Sequence, residues 1–442
     1  MLTLVTAVLC AQLADAGVVT PVAPPSDVSF RAGAEVEGAA FGTSREIDGL
    51  LGLRPLLSFS VKDTLEVELG PSFRLRLFDA QPSQKSTDLG GILRREDWDS
   101  LSDFGQIVRE LRLDTSALQL RVGSVRKKTL GFGHLINRYS NADNPDYHPA
   151  GATAVLNIGP VHAEAFASDL LGARLFAAQF SFDLGKFLSD KPQLADRFLA
   201  TIEVAHDFGL AGRPVQRCAE VCFDTADTVP ITLGHFDASA VVLRNFTIRL
   251  MVLAGAGGRG VFGNDKGSRG FGALFGTAAD LNIKSVRLTG RVELRKNNLG
   301  FRQGFIGPGY ELARFSGIGR SQASIGMEQL PDGYSLFSEI RSAWSDLVTA
   351  DAMVEVFSMG RIDVDATASV NLIGSRLVGA ARFTAVGLNQ AARFSYSAEL
   401  RYRPIASLYI LAQGGSLYFP QSDGSLIRGG TVGVGIGGDI EL

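Results

Sequence analysis

From Val28 to Leu442 the chain alternates apolar and polar residues with a period of two. In 283–295 one face reads Val286, Leu288, Gly290, Val292 and Leu294, and the other reads Arg287, Thr289, Arg291, Glu293 and Arg295. In 64–77 the apolar set is Leu65, Val67, Leu69, Phe73, Leu75 and Leu77, opposite Glu66, Glu68, Ser72, Arg74 and Arg76. In 391–403, Phe394, Tyr396, Ala398, Leu400 and Tyr402 alternate with Arg393, Ser395, Ser397, Glu399 and Arg401. Successive side chains of a strand point to opposite sides of a sheet, so each segment predicts a strand with one apolar face. About 20 such segments follow one another with no break in composition, which predicts a single all-β domain. Many approach the ~9–11 residues that a tilted strand needs to cross a bilayer, against ~5–6 in soluble strands.

A soluble sandwich and a membrane barrel both need one apolar face, so the links between strands decide. Very short links follow Val61, Asp114, Ile158, Leu243, Leu372 and Arg403. Between them lie long polar links: 79–105, 126–149, 209–230, 257–269 and 296–332. Short and long links alternate, as they do when one end of a barrel carries tight turns and the other carries loops. Two places break that parity: 184–196 is long where a turn is due, and 359–361 is short where a loop is due. Pro55 and Pro71 fall inside predicted strands. In a closed barrel they require local irregularities.

Composition narrows the class further. The formal charge is −3, which excludes an electrostatic nucleic-acid binder. Residues 1–16 carry an apolar stretch from Leu2 to Ala11 and then Ala14-Asp15-Ala16, the shape of a secretory signal cleaved after Ala16. Residues 17–27 hold three prolines and read as an extended linker. No run of 18 or more apolar residues predicts a membrane helix. Cys218 and Cys222 are spaced to close a small disulfide loop in an exported protein. A zinc site needs four ligands, and the five His are scattered along the sequence, so no metal is expected.

Export, one long alternating domain and unequal loops together resemble a Gram-negative outer-membrane β-barrel of the porin-like class. The resemblance covers 28–442 and implies a single transmembrane antiparallel barrel of about 18–20 strands. Its short turns would face the periplasm and its long loops the outside. The apolar face would meet outer-membrane lipid, and the polar face would line a lumen. That lumen inventory is Glu66, Glu68, Arg74, Arg76, Glu110, Arg112, Asp114, Arg121, Glu164, Arg249, Arg287, Arg291, Glu293, Arg295, Arg393, Glu399 and Arg401. By count it holds more Arg than acid. The expected function is a channel for small polar or anionic solutes. A barrel that takes part in polysaccharide export is the alternative, and a structural or adhesive barrel plugged by its own loops is a third reading. The oligomeric state is open.

Two long links are candidates to fold inward as constrictions. Segment 126–149 joins Arg126, Lys127, Lys128 and Arg138 to Tyr139 and Tyr147, and 296–332 sets Lys296, Arg302, Arg314 and Arg320 among aromatic rings. Such groups suit an anionic or sugar-like solute. The residues expected to shape selectivity are Arg74, Arg76, Arg112, Arg126, Lys127, Lys128, Arg287, Arg291, Glu293, Arg295, Arg393, Glu399 and Arg401. No catalytic signature and no cofactor motif is found. Gly255–Gly260 fits GxGxxG, but no helix follows to receive a dinucleotide. Asn141, Asp143, Asn144 and Asp146 have the oxygen ligands calcium uses, without the glycine and distal glutamate of an EF-hand.

Overall fold

A computed structural model describes residues 28–43, 47–79, 93–94, 97–98, 100–143, 147–188, 194–208, 230–260, 270–298, 300–311, 333–374, 376–389, 392–420 and 426–441. The signal and linker readings over 1–27 lie outside the described residues, as do Cys218, Cys222, Asn144 and Asp146.

Among the described residues 21 strands form one antiparallel sheet. The first are β1 (Val28–Thr43), β2 (Ile47–Val61), β3 (Leu65–Leu69), β4 (Phe73–Asp79), β5 (Val108–Asp114), β6 (Leu118–Gly123) and β7 (Gly151–Ile158). Next come β8 (Val161–Ala167), β9 (Leu175–Asp183), β10 (Phe198–Asp207), β11 (Ile231–Arg244), β12 (Ile248–Arg259), β13 (Gly270–Ile283) and β14 (Val286–Asn297). The last seven are β15 (Gly333–Trp344), β16 (Val348–Phe357), β17 (Ile362–Leu372), β18 (Leu377–Leu388), β19 (Arg393–Ile405), β20 (Leu408–Pro420) and β21 (Leu426–Glu441). Each strand pairs with the next in the chain, apart from β3 and β4. Both of these pair with β2, so 21 strands make a barrel of 20 staves. β1 closes the ring against β21, from Arg31 opposite Glu441 to Thr43 opposite Gly429. Closure removes the two terminal edges. The short β4 pairs on one side with β2 and, among the described residues, meets only Leu93 on the other, opposite Leu75.

The interruption between β3 and β4 answers the proline question. Leu57 pairs with Leu69 and Leu53 with Phe73, so the register sets Pro55 opposite Pro71. Proline has no N–H to give to a ladder. Two prolines at one register position confine the loss to a single gap.

Both breaks in link parity also fall where the barrel needs them. The long link 184–196 lies at the short-turn end and opens with the helix Leu184–Leu188. The turn between β16 and β17 lies at the loop end and is simply short. No strand is gained or lost.

The two faces of the wall are inverted relative to a soluble protein. Val292, Leu294, Val432, Val434 and Phe275 are 48–62% exposed and point outward. Glu35, Glu37, Arg74, Glu293 and Arg295, one residue out of step with such apolar positions, are buried inside. Charged residues are almost never buried in soluble folds unless paired, whereas a membrane barrel turns its apolar face to lipid. No helix among the described residues is long and apolar enough to cross a membrane; the strands do the spanning.

Candidate functional site

Two loops fold into the lumen and meet there. In the first, residues 124–150, backbone bonds run from Lys128 N to Tyr139 O (2.8 Å), back from Tyr139 N to Lys128 O (2.9 Å), and from Leu130 N to Ile136 O (3.0 Å). They make a hairpin. The second, 298–311, adds an edge to it: Gly304 N donates to His134 O (2.7 Å), Ile306 N to Leu135 O (3.0 Å), and Asn137 N to Ile306 O (2.9 Å). A small sheet thus forms inside the barrel and satisfies backbone groups that a buried loop would otherwise leave unpaired.

One flank of this plug is apolar. Leu130, Leu135, Ile136, Tyr139, Phe301, Phe305, Ile306 and Tyr310 pack against Phe166 of β8, Leu175 and Ala177 of β9, Ala205 of β10, and Ile231 and Leu233 of β11. Near the loop end of these strands the inward positions are apolar as well as the outward ones, so the alternation lapses where the plug docks. Tyr310 Oη reaches Asp207 at 2.9 Å, and Tyr139 Oη donates to Glu311.

The other flank is charged. Arg138, fully buried, reaches Glu339 of β15 (2.9 Å), Asp351 of β16 (2.7 Å) and Asp365 of β17 (2.9 Å). Lys127 holds Asp351 and donates to Thr367 Oγ1 at 2.7 Å, whereas Lys128 turns to the first flank and holds Glu164 of β8. Arg302 of the second loop pairs with Asp363 at 3.0 Å. Beneath the hairpin, Arg291 links Glu293 (3.1 Å) and Glu339 (3.0 Å), and Arg295 links Glu293 (2.6 Å) and Glu355 (3.1 Å). The Arg291 guanidinium also donates to Phe132 O in the loop.

Of the residues singled out from sequence, Lys127, Lys128, Arg291, Glu293 and Arg295 therefore come together at the plug. Glu399 and Arg401 pair at 3.7 Å farther round the wall, and Arg126 donates to Ser124 Oγ at 3.3 Å. Arg76 lies 3.9 Å from Asp48, and Arg112 pairs with Asp114. Arg74 is buried against Asp97 and lies 3.0 Å from His148. Burial works against the Asp97 charge, yet Arg74 and Arg94 hold its carboxyl below the usual carboxylate range. Arg287 is exposed beside the 284–285 turn, and Arg393 begins β19 at the loop end. Neither joins the plug contacts named above.

The sequence inventory missed Glu203, Asp237, Glu339, Asp351, Glu355, Asp363 and Asp365. All lie on strands, and the period-two reading of Asp363 and Asp365 was available. Counting them removes the excess of Arg. What survives is a local asymmetry of exposure at three pairs, while elsewhere the order reverses, as at Arg138 (0%) and Asp351 (16%). Arg382 is 20% exposed against 0% for Asp365, Arg341 49% against 7% for Glu339, and Arg401 15% against 0% for Glu399. In each of these three pairs the cation is the partner left facing the lumen.

The chain folds as a β-barrel of the outer-membrane type. No family model and no curated protein sequence matches it. Among solved structures it is similar to Pseudomonas aeruginosa OccK5 (OpdH), with 10% identity, 94% of this chain and 98% of that chain covered, and a TM-score of 0.36. It is similar also to OccK2 (OpdF) of that organism, solved in complex with glucuronate, at 10% identity, 94% and 97% coverage and a TM-score of 0.36. The outer membrane protein OprD, from the same organism, aligns at 8% identity, with 94% of each chain covered and a TM-score of 0.37. At such identity the functional reading rests on this barrel's own faces, loops and charges.

Proposed function

We propose that the protein is a passive, non-enzymatic channel of the bacterial outer membrane that admits small anionic or polar solutes past its two-loop plug. Residues 1–16 act as its export signal in this reading. The observation that carries it is the exposure asymmetry at Arg382, Arg341 and Arg401, whose carboxylate partners are withdrawn into the wall. A solute in the lumen meets the nearer guanidinium groups before the shielded acids. In a narrow, partly desolvated path that difference acts more strongly than it would in bulk water.

Guanidinium groups also offer paired N–H donors, which fit carboxylates. The plug fills part of the lumen, which favours small solutes over a polymer. Purified protein in planar bilayers should give discrete conductance steps with a reversal potential on the anion side in a salt gradient. Arg341→Gln with Arg382→Gln should move that potential toward cation preference, because Glu339 and Asp365 then lose part of their compensation. An ion-tight bilayer at high protein load would overturn the channel. An unmoved potential would overturn the role of the asymmetry.

A further inference from the structure

Five histidines scattered along the sequence gave no reason to expect a metal site, but folding brings two of them together with a carboxylate. His134 stands at the bend of the inserted hairpin, and His235 and Asp237 share the inward face of β11. One ligand atom from each lies within 4.8 Å of the others. His134 Nδ1 is 2.7 Å from Asp237 Oδ1, and His235 Nδ1 is 3.1 Å from Asp237 Oδ2. A tetrahedral ion with Zn–N and Zn–O bonds of about 2.0–2.1 Å sets its ligand atoms roughly 3.3 Å apart. The three groups need only small shifts to take such an ion in place of their mutual hydrogen bonds.

The surroundings have the form of a built site. His134 Nε2 lies 3.0 Å from Glu293 Oε1, and Glu293 is itself held by Arg295 at 2.6 Å. A carboxylate on the far nitrogen fixes the ring and raises its basicity as a ligand. The imidazole of His235 is seated on two glycines of β12. A Cβ at Gly255 would stand 2.2 Å from Asp237 Oδ1, and one at Gly257 would stand 2.4 Å from His235 Cδ2.

Buried atoms here without a hydrogen-bond partner include His235 Nε2, Glu203 Oε1 and Gln179 Oε1 beside it. Glu203 is fully buried and sits directly across the β10–β11 ladder from His235; its other oxygen accepts from Leu135 N at 3.3 Å. A spare carboxylate oxygen buried next to two imidazoles is costly to leave unmade. The three-residue cluster would leave a fourth position open, and Glu203 borders it across the ladder from His235. We propose that His134, His235 and Asp237, with Glu203 beside them, bind a divalent transition metal of the zinc class, which pins the inserted hairpin to the wall.

The test uses the full-length folded barrel in detergent, treated with chelator and then titrated with Co2+, whose tetrahedral complexes absorb visible light. One saturable equivalent, displaced by Zn2+, is expected. His235→Ala and Asp237→Asn should abolish the band while heat-modifiable migration on gels still reports a folded barrel. Glu293→Gln should weaken binding about 10–100-fold. His162→Ala, beside the turn before β8, should change nothing. A folded wild-type barrel with no cobalt band would overturn the proposal, as would a band that survives His235→Ala. The spectrum is read without transport, so its failure leaves the channel reading standing.

Discussion

The two flanks of the plug differ in balance: the β8–β11 side joins an apolar cluster to a few polar bonds such as Lys128–Glu164 and His134–Asp237, whereas the contacts to β15–β17 are charged. Against β8–β11 the plug meets Phe166, Leu175, Ala205, Ile231 and Leu233; against β15–β17 the hairpin meets Glu339, Asp351 and Asp365, and the second loop meets Asp363. Apolar contact is roughly proportional to area and indifferent to direction, so the first flank sets how deep the loop sits. Charge-assisted hydrogen bonds are directional, so the second sets its orientation and register. A loop held only by the first flank could slide; one held only by the second would carry buried charges that little else confines. The substitutions that separate these roles differ in size.

The largest effect should come from Arg138→Ala. Arg138 is fully buried and serves Glu339, Asp351 and Asp365 together. Removing one partner of a buried ion pair costs about 3–5 kcal/mol. Here Arg291 and Arg341, Lys127 and Arg382 keep part of the compensation of the three carboxylates, which places the loss near the lower end of that range. The hairpin should release, which protease cleavage at Arg126–Lys128 and longer or larger open events in bilayers would register. Unchanged cleavage would mean that the apolar flank is sufficient by itself.

Arg138→Lys is milder and more specific. A single ammonium cannot reproduce the planar fork that reaches three carboxylates. At least one of the three loses its charge-assisted bond to residue 138, at about 1–3 kcal/mol. On the opposite flank Ile306→Val removes one methylene from a packed cluster and should cost about 0.5–1.5 kcal/mol. If the apolar substitution loosens the loop as much as Arg138→Lys does, the division of labour between the flanks is wrong.

The barrel itself was legible in the sequence because a period of two is a one-dimensional signal: Val292 outward and Arg291 inward follow from parity alone. The plug was only half legible. Its two segments stood out by length and by basic-aromatic composition, but the partners of Lys127 and Arg138 lie more than 200 residues away. No spacing rule reaches that far. The lapse of alternation at Leu175, Ile231 and Leu233 was a signal that could have marked the docking wall. Pairing also changes one expectation. Parity alone ranks Leu288→Arg, a lipid-facing charge costing about 2–4 kcal/mol near the midplane, well above Arg291→Ala. Arg291 instead compensates Glu293 and Glu339, so its loss should impair assembly comparably. Heat-modifiable migration of the two variants compares them directly.

The smallest expected effect concerns Lys127, where the charged flank meets the pathway. Its ammonium contacts Asp351 and Thr367 and remains 20% exposed. Burial and then the Arg138 guanidinium push it down to about 7, against the pull of Asp365. A free lysine titrates near ~10.4, so between these two values the docked loop binds fewer protons than a released one. The sign follows: docking tightens as pH rises through that window, and the penalty of holding a charged Lys127 is fully present below about 7. Selectivity should move the other way, because the lumen loses a positive charge over the same range. Raising pH from mildly acid to mildly alkaline should therefore lower the anion-to-cation permeability ratio while loop openings become rarer. The change is modest, since Arg341, Arg382 and Arg401 keep their charge throughout. Lys127→Arg fixes that charge and should leave the ratio flat across the same range. A wild-type ratio as flat as that of the variant would place Lys127 away from the solute path and make it an anchor alone.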